Sequence, residues 1–207
     1  RRRRAARQRR RLVPSDFGVR SCAHRNRARP IRCVWNRRAA ERRLKRVVSE
    51  YLKRHDGVVT LAQARAAGLS KYSVNRRVSS GRWQRCSKGV YFAADRPFSE
   101  AARVRSAVWG YGESAVASGL AAAWWHGLAQ FAPAAVEVTV PRDSNGRRHD
   151  GSIVRRRDLD AADIEEVRGL LVTAQPLTVV EASVRYRGGA KLLDAALQRD
   201  ARLPDLW

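Results

Sequence analysis

Apolar side chains recur at helical spacing between Arg43 and Arg54, at Leu44, Val47, Val48, Tyr51 and Leu52. Positions i, i+3, i+4, i+7 and i+8 lie on one side of a helix, so this stripe predicts an amphipathic helix. The run His55-Asp56-Gly57 breaks the pattern, and Val58-Val59 indicates a short extended link.

Local chemistry predicts two further helices. Thr60 with Gln63 three residues later matches the capping box, in which each side chain satisfies a free backbone N–H. The second helix would therefore run from Leu61 to Ala67, and Gly68 would end it because a left-handed residue costs Gly little. Leu69 would enter the core, and Ser70 would cap a third helix, from Lys71 to Ser80. A three-residue turn containing Gly between two helices indicates a helix-turn-helix.

The third helix is a candidate recognition helix. Val74 and Val78 face inward, at about 100° per residue. The opposite face and its flanks carry polar side chains, which are Lys71, Tyr72, Ser73, Asn75, Arg76, Ser79 and Ser80. Arg can form two hydrogen bonds to guanine and Asn to adenine, while Ser and Tyr bind phosphate or base edges. These residue types in this pattern indicate contact with double-stranded DNA.

A short hairpin follows the third helix. Gly81 ends the helix, and the runs 83–86 and 90–92 predict two strands joined at Ser87-Lys88-Gly89. Arg82, Arg85 and Lys88 would lie on or near this wing, within reach of phosphate or the minor groove. Trp83 and Tyr91 are expected in its core. The alternative is a protein-interaction module with a solvated basic face.

The distribution of charge supports a polyanionic partner for the first half of the chain. The net charge is +24, from 43 Lys and Arg against 19 Asp and Glu. Residues 1–40 carry +14, residues 41–96 carry +10, and residues 97–207 hold 14 groups of each sign. All the excess positive charge therefore precedes residue 97, which suits binding to nucleic acid.

Residues 1–40 are expected to be a disordered basic tail, because RRRRAARQRRRL has no face to bury. One interpretation is an arginine-rich arm that strengthens nonspecific binding. The other, which we favour, is a misassigned start, since the chain begins without Met. Cys22, His24 and Cys33 lack a fourth ligand and standard spacing, so we expect no metal site. Without an 18-residue apolar run or a secretory signal, we expect a soluble cytoplasmic protein that does not bind membranes.

Residues 97–207 predict a mixed α/β domain, so the whole chain is expected to be α+β. Ser99 would cap a helix over 100–111, and an Ala-rich helix would cover 113–125. The segments 137–141 and 153–156 alternate like half-buried strands around a polar loop, and 167–172 predicts a third strand. Pro176 would open a helix with Leu177, Val180 and Val184 inward. The last helix, 190–198, would bury Leu192, Leu193, Ala196 and Leu197.

No catalytic pattern is present in the sequence. Phosphate-binding, dinucleotide, HExxH and GxSxG motifs are absent, and Glu165-Glu166 are adjacent and would point apart. Trp124-Trp125-His126 is interpreted as aromatic core followed by a helix end. We therefore expect no enzyme activity, no cofactor and no metal.

The segment GVVTLAQARAAGLSKYSVNRRVSSGRWQRCSKGVY resembles the N-terminal winged helix of AbiEi-family antitoxins, from type IV toxin–antitoxin systems. Later pieces, including SAVASGLAAAWWHGL, EVTVP, VTAQPLTVVEASV and AKLLDAALQR, are similar to the same family, so the resemblance covers roughly 41–200. Many relatives have T-x-x-x-R-T-x-x-D where this chain has Thr173, Leu177-Thr178 and Glu181. An Arg–Asp pairing there is therefore not expected.

The resemblance implies a winged helix that binds inverted repeats in the promoter of its own operon and represses it. It places Lys71, Tyr72, Asn75, Arg76 and Arg77 on the recognition helix and Arg82, Arg85 and Lys88 on the wing. Two half-sites would need two copies, bound cooperatively or as a dimer. The second domain would counter a toxin of the nucleotidyltransferase type. Many relatives continue into a nuclease-like domain beyond the matching motifs, so no nuclease residues are implied.

Three functional classes follow from the sequence. The first is an antitoxin-like autorepressor, which requires sequence-specific binding. The second is the DNA-targeting part of a larger nuclease-fused protein. The third is a nonspecific basic nucleic-acid-binding protein driven by the Arg-rich tail.

Overall fold

The computed structural model of the protein describes residues 31–144, 149–186 and 188–199. Within these ranges the chain is α+β, with an N-terminal winged helix-turn-helix followed by a mixed α/β part, as predicted. Its first helix, α1 (Ile31–Arg54), starts twelve residues earlier than the predicted Arg43. Residues 31–40 are therefore helical and not part of a disordered tail. Arg and Ala are strong helix formers, so the helix continues backward from its anchored later turns.

The winged helix is built from β1 (Val58–Thr60), α2 (Leu61–Ala66), α3 (Lys71–Ser79), β2 (Trp83–Ser87) and β3 (Val90–Ala93). Its sheet has the order β1-β3-β2 with antiparallel neighbours, so the extended link predicted at Val58-Val59 is a third strand of the wing. Asp56 and Gly57 have positive φ angles of 54° and 81°, which turn the chain from α1 into β1.

The second part contains α4 (Glu100–Trp109), β4 (Val116–Ala117), α5 (Gly119–Trp125), β5 (Val136–Val140), β6 (Ser152–Arg156), a 3₁₀ turn (Ala161–Asp163), β7 (Ile164–Val167), β8 (Leu170–Thr173), α6 (Gln175–Arg185) and α7 (Gly189–Arg199). The sheet order is β6-β5-β4-β8-β7. Strand β5 is parallel to β6 and antiparallel to β4, so the sheet is mixed.

Four predictions for this part were wrong, three of them about strands and one about the buried side of α6. The helix predicted over 113–125 is the strand β4 followed by the shorter α5, because 116–117 hydrogen-bond into the sheet between β5 and β8. The strand predicted over 167–172 is a hairpin whose turn, Arg168-Gly169, has φ angles of 51° and 72°. The strand predicted as half-buried at 137–141 is fully buried, since β5 lies inside the sheet.

Helix α6 also buries a different side from the predicted one. Val180 and Val184 are exposed, while Thr178, Val179, Glu181 and Ala182 are buried. The buried polar side chains find partners inside the protein, which makes this orientation possible. The prediction for α7 is confirmed, since Leu192 and Ala196 are buried and Leu193 and Leu197 pack against them.

Helix α4 packs on both parts of the protein. Ala102 lies with Val58, Val90 and Phe92 of the wing sheet in one apolar cluster. Val104 and Val108 lie in the core of the mixed sheet. The wing sheet is therefore covered by a helix that the following domain supplies.

Candidate nucleic-acid interface

Caps and a small core hold the candidate recognition helix α3. The Ser70 hydroxyl accepts a hydrogen bond from the Ser73 N–H, and Val74 and Leu69 are buried against α1 and the wing. Before it, Thr60 and Gln63 form the predicted capping box of α2. Gly68, at φ 95°, lies in the turn between α2 and α3. The local chemistry thus gives the helix-turn-helix that the sequence predicted.

One row of α3 faces solvent. Tyr72, Asn75, Arg76 and Ser79 are exposed at spacings of three and four residues, and Tyr72 is 77% exposed. Lys71 is exposed at the first turn. Side chains at these spacings form a continuous stripe along a helix. The structure therefore brings together most of the base-reading candidates named from the sequence.

Two of the predicted α3 contacts are half-buried. The Arg77 guanidinium donates to the Ser73 carbonyl at 2.9 Å and lies 5.5 Å from the centre of the Trp83 ring. Burial, followed by the neighbouring cations Arg82 and Arg76, lowers the pKa of Arg77. This side chain joins α3 to the wing strand β2. Ser73 lies in the first turn, where its hydroxyl accepts from that of Ser70. Both residues are placed to hold α3 more than to reach a base.

The wing carries three exposed cations on different elements. Arg82 follows α3 and donates through Nε to the Ser80 hydroxyl at 3.2 Å. Arg85 lies on β2, just before an irregularity in pairing with β3 between Arg85 and Ser87. Lys88 lies in the turn between the two strands. Arg85 and Cys86 also line a cleft of about 400 Å³ between β2 and α4, so Arg85 is near the second domain.

The charged side chains of α2, α3 and the wing are all positive. Residues 57–94 contain seven Lys and Arg and no Asp or Glu. A surface without carboxylates does not repel phosphate, and each exposed cation can replace a counterion of the duplex. The region that carries α3 and the wing is therefore suited to a polyanion.

A buried arginine joins the winged helix to the second domain, and sequence reasoning missed it. Arg105 of α4 has no exposed surface. Its Nε and Nη2 both donate to the Asp56 carboxylate at 3.0 Å. The same guanidinium donates to the carbonyls of Arg168 and Gly169 and lies 5.0 Å from the ring centres of Trp109 and Trp125. Helical periodicity alone gives no signal for a buried cation at this position.

A second charged cluster lies on the α6 side of the mixed sheet. The Glu137 carboxylate accepts from Arg155 at 3.3 Å and from Arg185 at 3.2 Å. Burial raises the pKa of Glu137, and Arg185 opposes this. The Glu137 carboxylate leaves no room for a Cβ at position 119, so Gly119 is required there.

Glu181 is the other carboxylate of this cluster. It pairs with Arg157 and accepts the Gly119 N–H at 3.2 Å. Glu181 thus pairs with an arginine that follows β6 and lies outside α6.

Among the residues that the structure describes, no group of three or more His, Cys, Asp or Glu side chains could hold a metal ion. Cys22 and His24 lie outside these ranges. Trp125 is buried, and His126 follows α5 with Nε2 2.9 Å from the Thr173 carbonyl oxygen, as expected of aromatic core and a helix end. No helix in the described part of the chain has the length and apolarity needed to cross a membrane.

Comparison with known proteins finds a family model that matches this winged helix. Residues 46–93 match the family model described as "Transcriptional regulator, AbiEi antitoxin". This confirms the predicted resemblance for the winged helix, over residues 46–93. The match runs from the second half of α1 to the end of β3, so the AbiEi segment includes α3 and the whole wing. The family is described as a transcriptional regulator, which supports a general role in regulation.

Two further comparisons complete these findings. The protein is similar to the crystal structure of RV2827C protein from Mycobacterium tuberculosis, with 17% identity and a TM-score of 0.38 over 76% of this chain and 72% of that one. No curated protein matches.

Proposed function

We propose that the protein is a DNA-binding, antitoxin-like autorepressor of a type IV toxin–antitoxin operon. The observation that carries the proposal is the exposed row Tyr72, Asn75, Arg76 and Ser79 on a capped helix inside an AbiEi winged helix. The helix would enter the major groove, and the wing cations would bind the adjacent backbone. The target would be inverted repeats in its own promoter, bound by two copies of the chain.

Roles within this interface are assigned by side-chain chemistry. Arg76 is exposed and can form two hydrogen bonds to guanine, and Asn75 can do the same to adenine. Lys71, Arg82, Arg85 and Lys88 supply charge to phosphates, which fixes register without reading sequence. Arg77 and Ser73 position α3 through their bonds within the fold.

Two variants of the full chain test these roles. Arg76→Ala should lower affinity for the upstream DNA of its own gene by about 1–3 kcal/mol and leave affinity for scrambled DNA nearly unchanged. Lys88→Ala should weaken binding to both DNAs alike and reduce the salt slope by about one. Fluorescence anisotropy over a salt series measures both quantities.

Arg142→Ala is the matched control, since Arg142 is exposed in the second domain, outside the winged helix. It should leave both affinities unchanged. If Arg76→Ala weakened binding to both DNAs equally, Arg76 would not read a base. If wild type bound both DNAs equally, the protein would be a nonspecific basic nucleic-acid-binding protein.

The second part of the proposal is a functional pairing with a nucleotidyltransferase-type toxin. The neutral charge of residues 97–207 supports a role for this domain other than holding DNA. Co-expression with a nucleotidyltransferase encoded beside the gene should restore growth that the toxin alone arrests. Continued growth arrest would contradict the proposed antitoxin role and would leave the proposed repressor role unaffected.

A further inference from the structure

Helix α1 is exposed on every side before it reaches the core of the winged helix. Residues 39–43 are exposed without a break, and five consecutive residues cover more than one turn of a helix. The buried side chains described on α1 come later, at Val48 and Leu52. Residues 39–43 therefore contribute nothing to the core, although they continue the same helix.

The charged side chains of this part of α1 are mainly cationic. Four exposed cations lie here against the single carboxylate of Glu41, and they are Arg42, Arg43, Lys45 and Arg46. Among the residues that the structure describes, none of the four forms an ion pair, whereas Lys53 near the end of the same helix pairs with Glu50. Like charges four residues apart, such as Arg42 and Arg46, destabilise a helix. An external polyanion would relieve this repulsion.

These cations lie beside the helix-turn-helix. Leu44 packs against the core of the winged helix, and its Cδ1 lies 3.3 Å from the position that a Cβ at Gly68 would take. Gly68 is in the turn between α2 and α3, two residues before Ser70, the N-cap of α3. Because residues 42–46 surround Leu44 in sequence, their cations are next to the turn from which α3 starts.

This end of α3 is the end that reads DNA in a helix-turn-helix. The first residues of a recognition helix contact base edges, and the phosphates on both sides of the groove are within reach of neighbouring cations. Lys71 and Tyr72 are exposed in the first turn of α3. Residues 39–46 span about 12 Å at the rise of a helix. Each DNA strand carries a charge about every 3.4 Å along the axis, so this length can meet more than one phosphate.

The position of the cations decides between DNA and an acidic protein. A folded acidic protein bound beside the α2–α3 turn would cover the exposed row of α3. A duplex can instead contact α3 and the neighbouring cations at the same time. Charge and position together therefore favour the DNA backbone.

We propose that residues 39–46, called the α1 segment below, form a second phosphate-binding surface beside the groove that α3 enters. Arg42, Arg43 and Arg46 would contact the backbone without reading bases, and so add affinity and fix register. The proposal rests on the proposed function, because it takes α3 as the helix that faces DNA.

Replacing Arg42 and Arg43 together by Gln in the full chain tests the α1 segment. Gln has nearly the same helix propensity as Arg, so α1 should persist. Loss of two phosphate contacts should lower the salt slope by about two for both the upstream and the scrambled DNA. Between 50 and 200 mM salt, the variant should therefore lose roughly tenfold less affinity than wild type. Fluorescence anisotropy over a salt series measures the slopes.

The double variant Lys53→Gln with Arg54→Gln is the matched control. It removes the same charge from the other end of α1, about 16 Å along the helix, where both side chains are exposed. Its salt slope should equal that of wild type, and circular dichroism should show the same helix content in all three proteins. Equal reductions of the slope in both double variants would show only general attraction and would overturn the proposal.

Neutral methylphosphonates placed at single positions of the upstream DNA locate the contact. At the phosphates bound by the α1 segment, the substitution should weaken binding of wild type and leave binding of the Arg42→Gln, Arg43→Gln variant unchanged. If the same phosphates mattered equally to both proteins, the α1 segment would not touch the backbone.

The two proposals fail in different ways. A reduced salt slope in a protein without preference for its upstream DNA would support the α1 segment and contradict the repressor function. A preference for the upstream DNA, with the same salt slope in wild type and variant, would contradict the α1 segment and support the repressor function.

Discussion

The guanidinium of Arg105 keeps its charge without any exposed surface. Five contacts offset the loss of water: the Asp56 carboxylate, two carbonyls and two indole rings. Burial lowers the pKa of Arg105, and the hydrogen bonds to Asp56 oppose this. Since Asp56 follows α1 and the carbonyls belong to the β7–β8 turn, one side chain fixes three segments together.

Arg105→Met should destabilise the protein by about 3 kcal/mol or more, because removing one partner of a buried ion pair leaves the other groups unsatisfied. Urea unfolding followed by circular dichroism measures the change. Arg142→Met is the control, since the exposed Arg142–Asp158 pair should contribute less than about 1 kcal/mol. Equal losses in the two variants would show that Arg105 is not a structural link.

At the residue scale, the sequence predicts interactions that form between residues close together in the chain. The caps at Thr60, Ser70 and Ser99 were predictable because each hydroxyl bonds a backbone N–H three residues away. The role of Arg105 was not predictable, because its partners lie 49 and 64 residues away in sequence. The packing of Arg77 on Trp83 was missed although the two are close in sequence, because it depends on how β2 folds back onto α3.

At the scale of elements, helical spacing predicted where α6 lies but not which side it buries. Thr178 bonds to Thr173 through its hydroxyl, and Glu181 binds Arg157 and the Gly119 N–H. These polar partners offset the burial of the polar side, so the apolar stripe faces outward. Strand β4 was missed for a related reason, since two residues carry no periodicity and only the neighbouring strands define them.

The β7–β8 hairpin depends on Gly169. Its φ is 72°, and a Cβ there would lie 2.8 Å from His55 Nε2. The His55 ring is held by stacking on Tyr51 and by the Tyr51 carbonyl, so it has little freedom to move. Gly127 has a similar φ of 77°, but a Cβ there would meet nothing within 4 Å.

Gly127→Ala should therefore lower the free energy of unfolding by about 1–2 kcal/mol, from backbone strain alone. Gly169→Ala should lower it by about 1–3 kcal/mol more, because of the added clash with His55. Chemical denaturation of both variants measures the difference. Equal losses would contradict a close contact between this hairpin and the winged helix.

At the scale of the whole molecule, the winged helix and the second domain share α4. Ala102 covers the wing sheet, while Val104 and Val108 belong to the core of the mixed sheet. Both parts should therefore unfold in one transition, with circular dichroism and tryptophan fluorescence coincident in urea. Two separated transitions would show that α4 and Arg105 do not couple them. The shared helix is also the reason why DNA binding is best measured on the full chain.

Charge is divided along the chain in the same way as the proposed roles. The acid-free stretch 57–94 holds α3 and the wing, and the second domain is balanced. Positive charge alone binds any duplex, and its strength falls steeply with salt. In the proposed function the exposed row on α3 adds a preference for one sequence, so specificity at high salt separates a repressor from a general polycation.

The most direct test compares binding of the full wild-type chain to its own upstream DNA and to scrambled DNA of equal length and composition at physiological salt. We expect at least about a thousandfold preference for the upstream DNA, the lower end for specific recognition. Arg76→Ala should erode this preference. Equal affinity for both DNAs, with the same salt slope, would contradict sequence-specific recognition by α3.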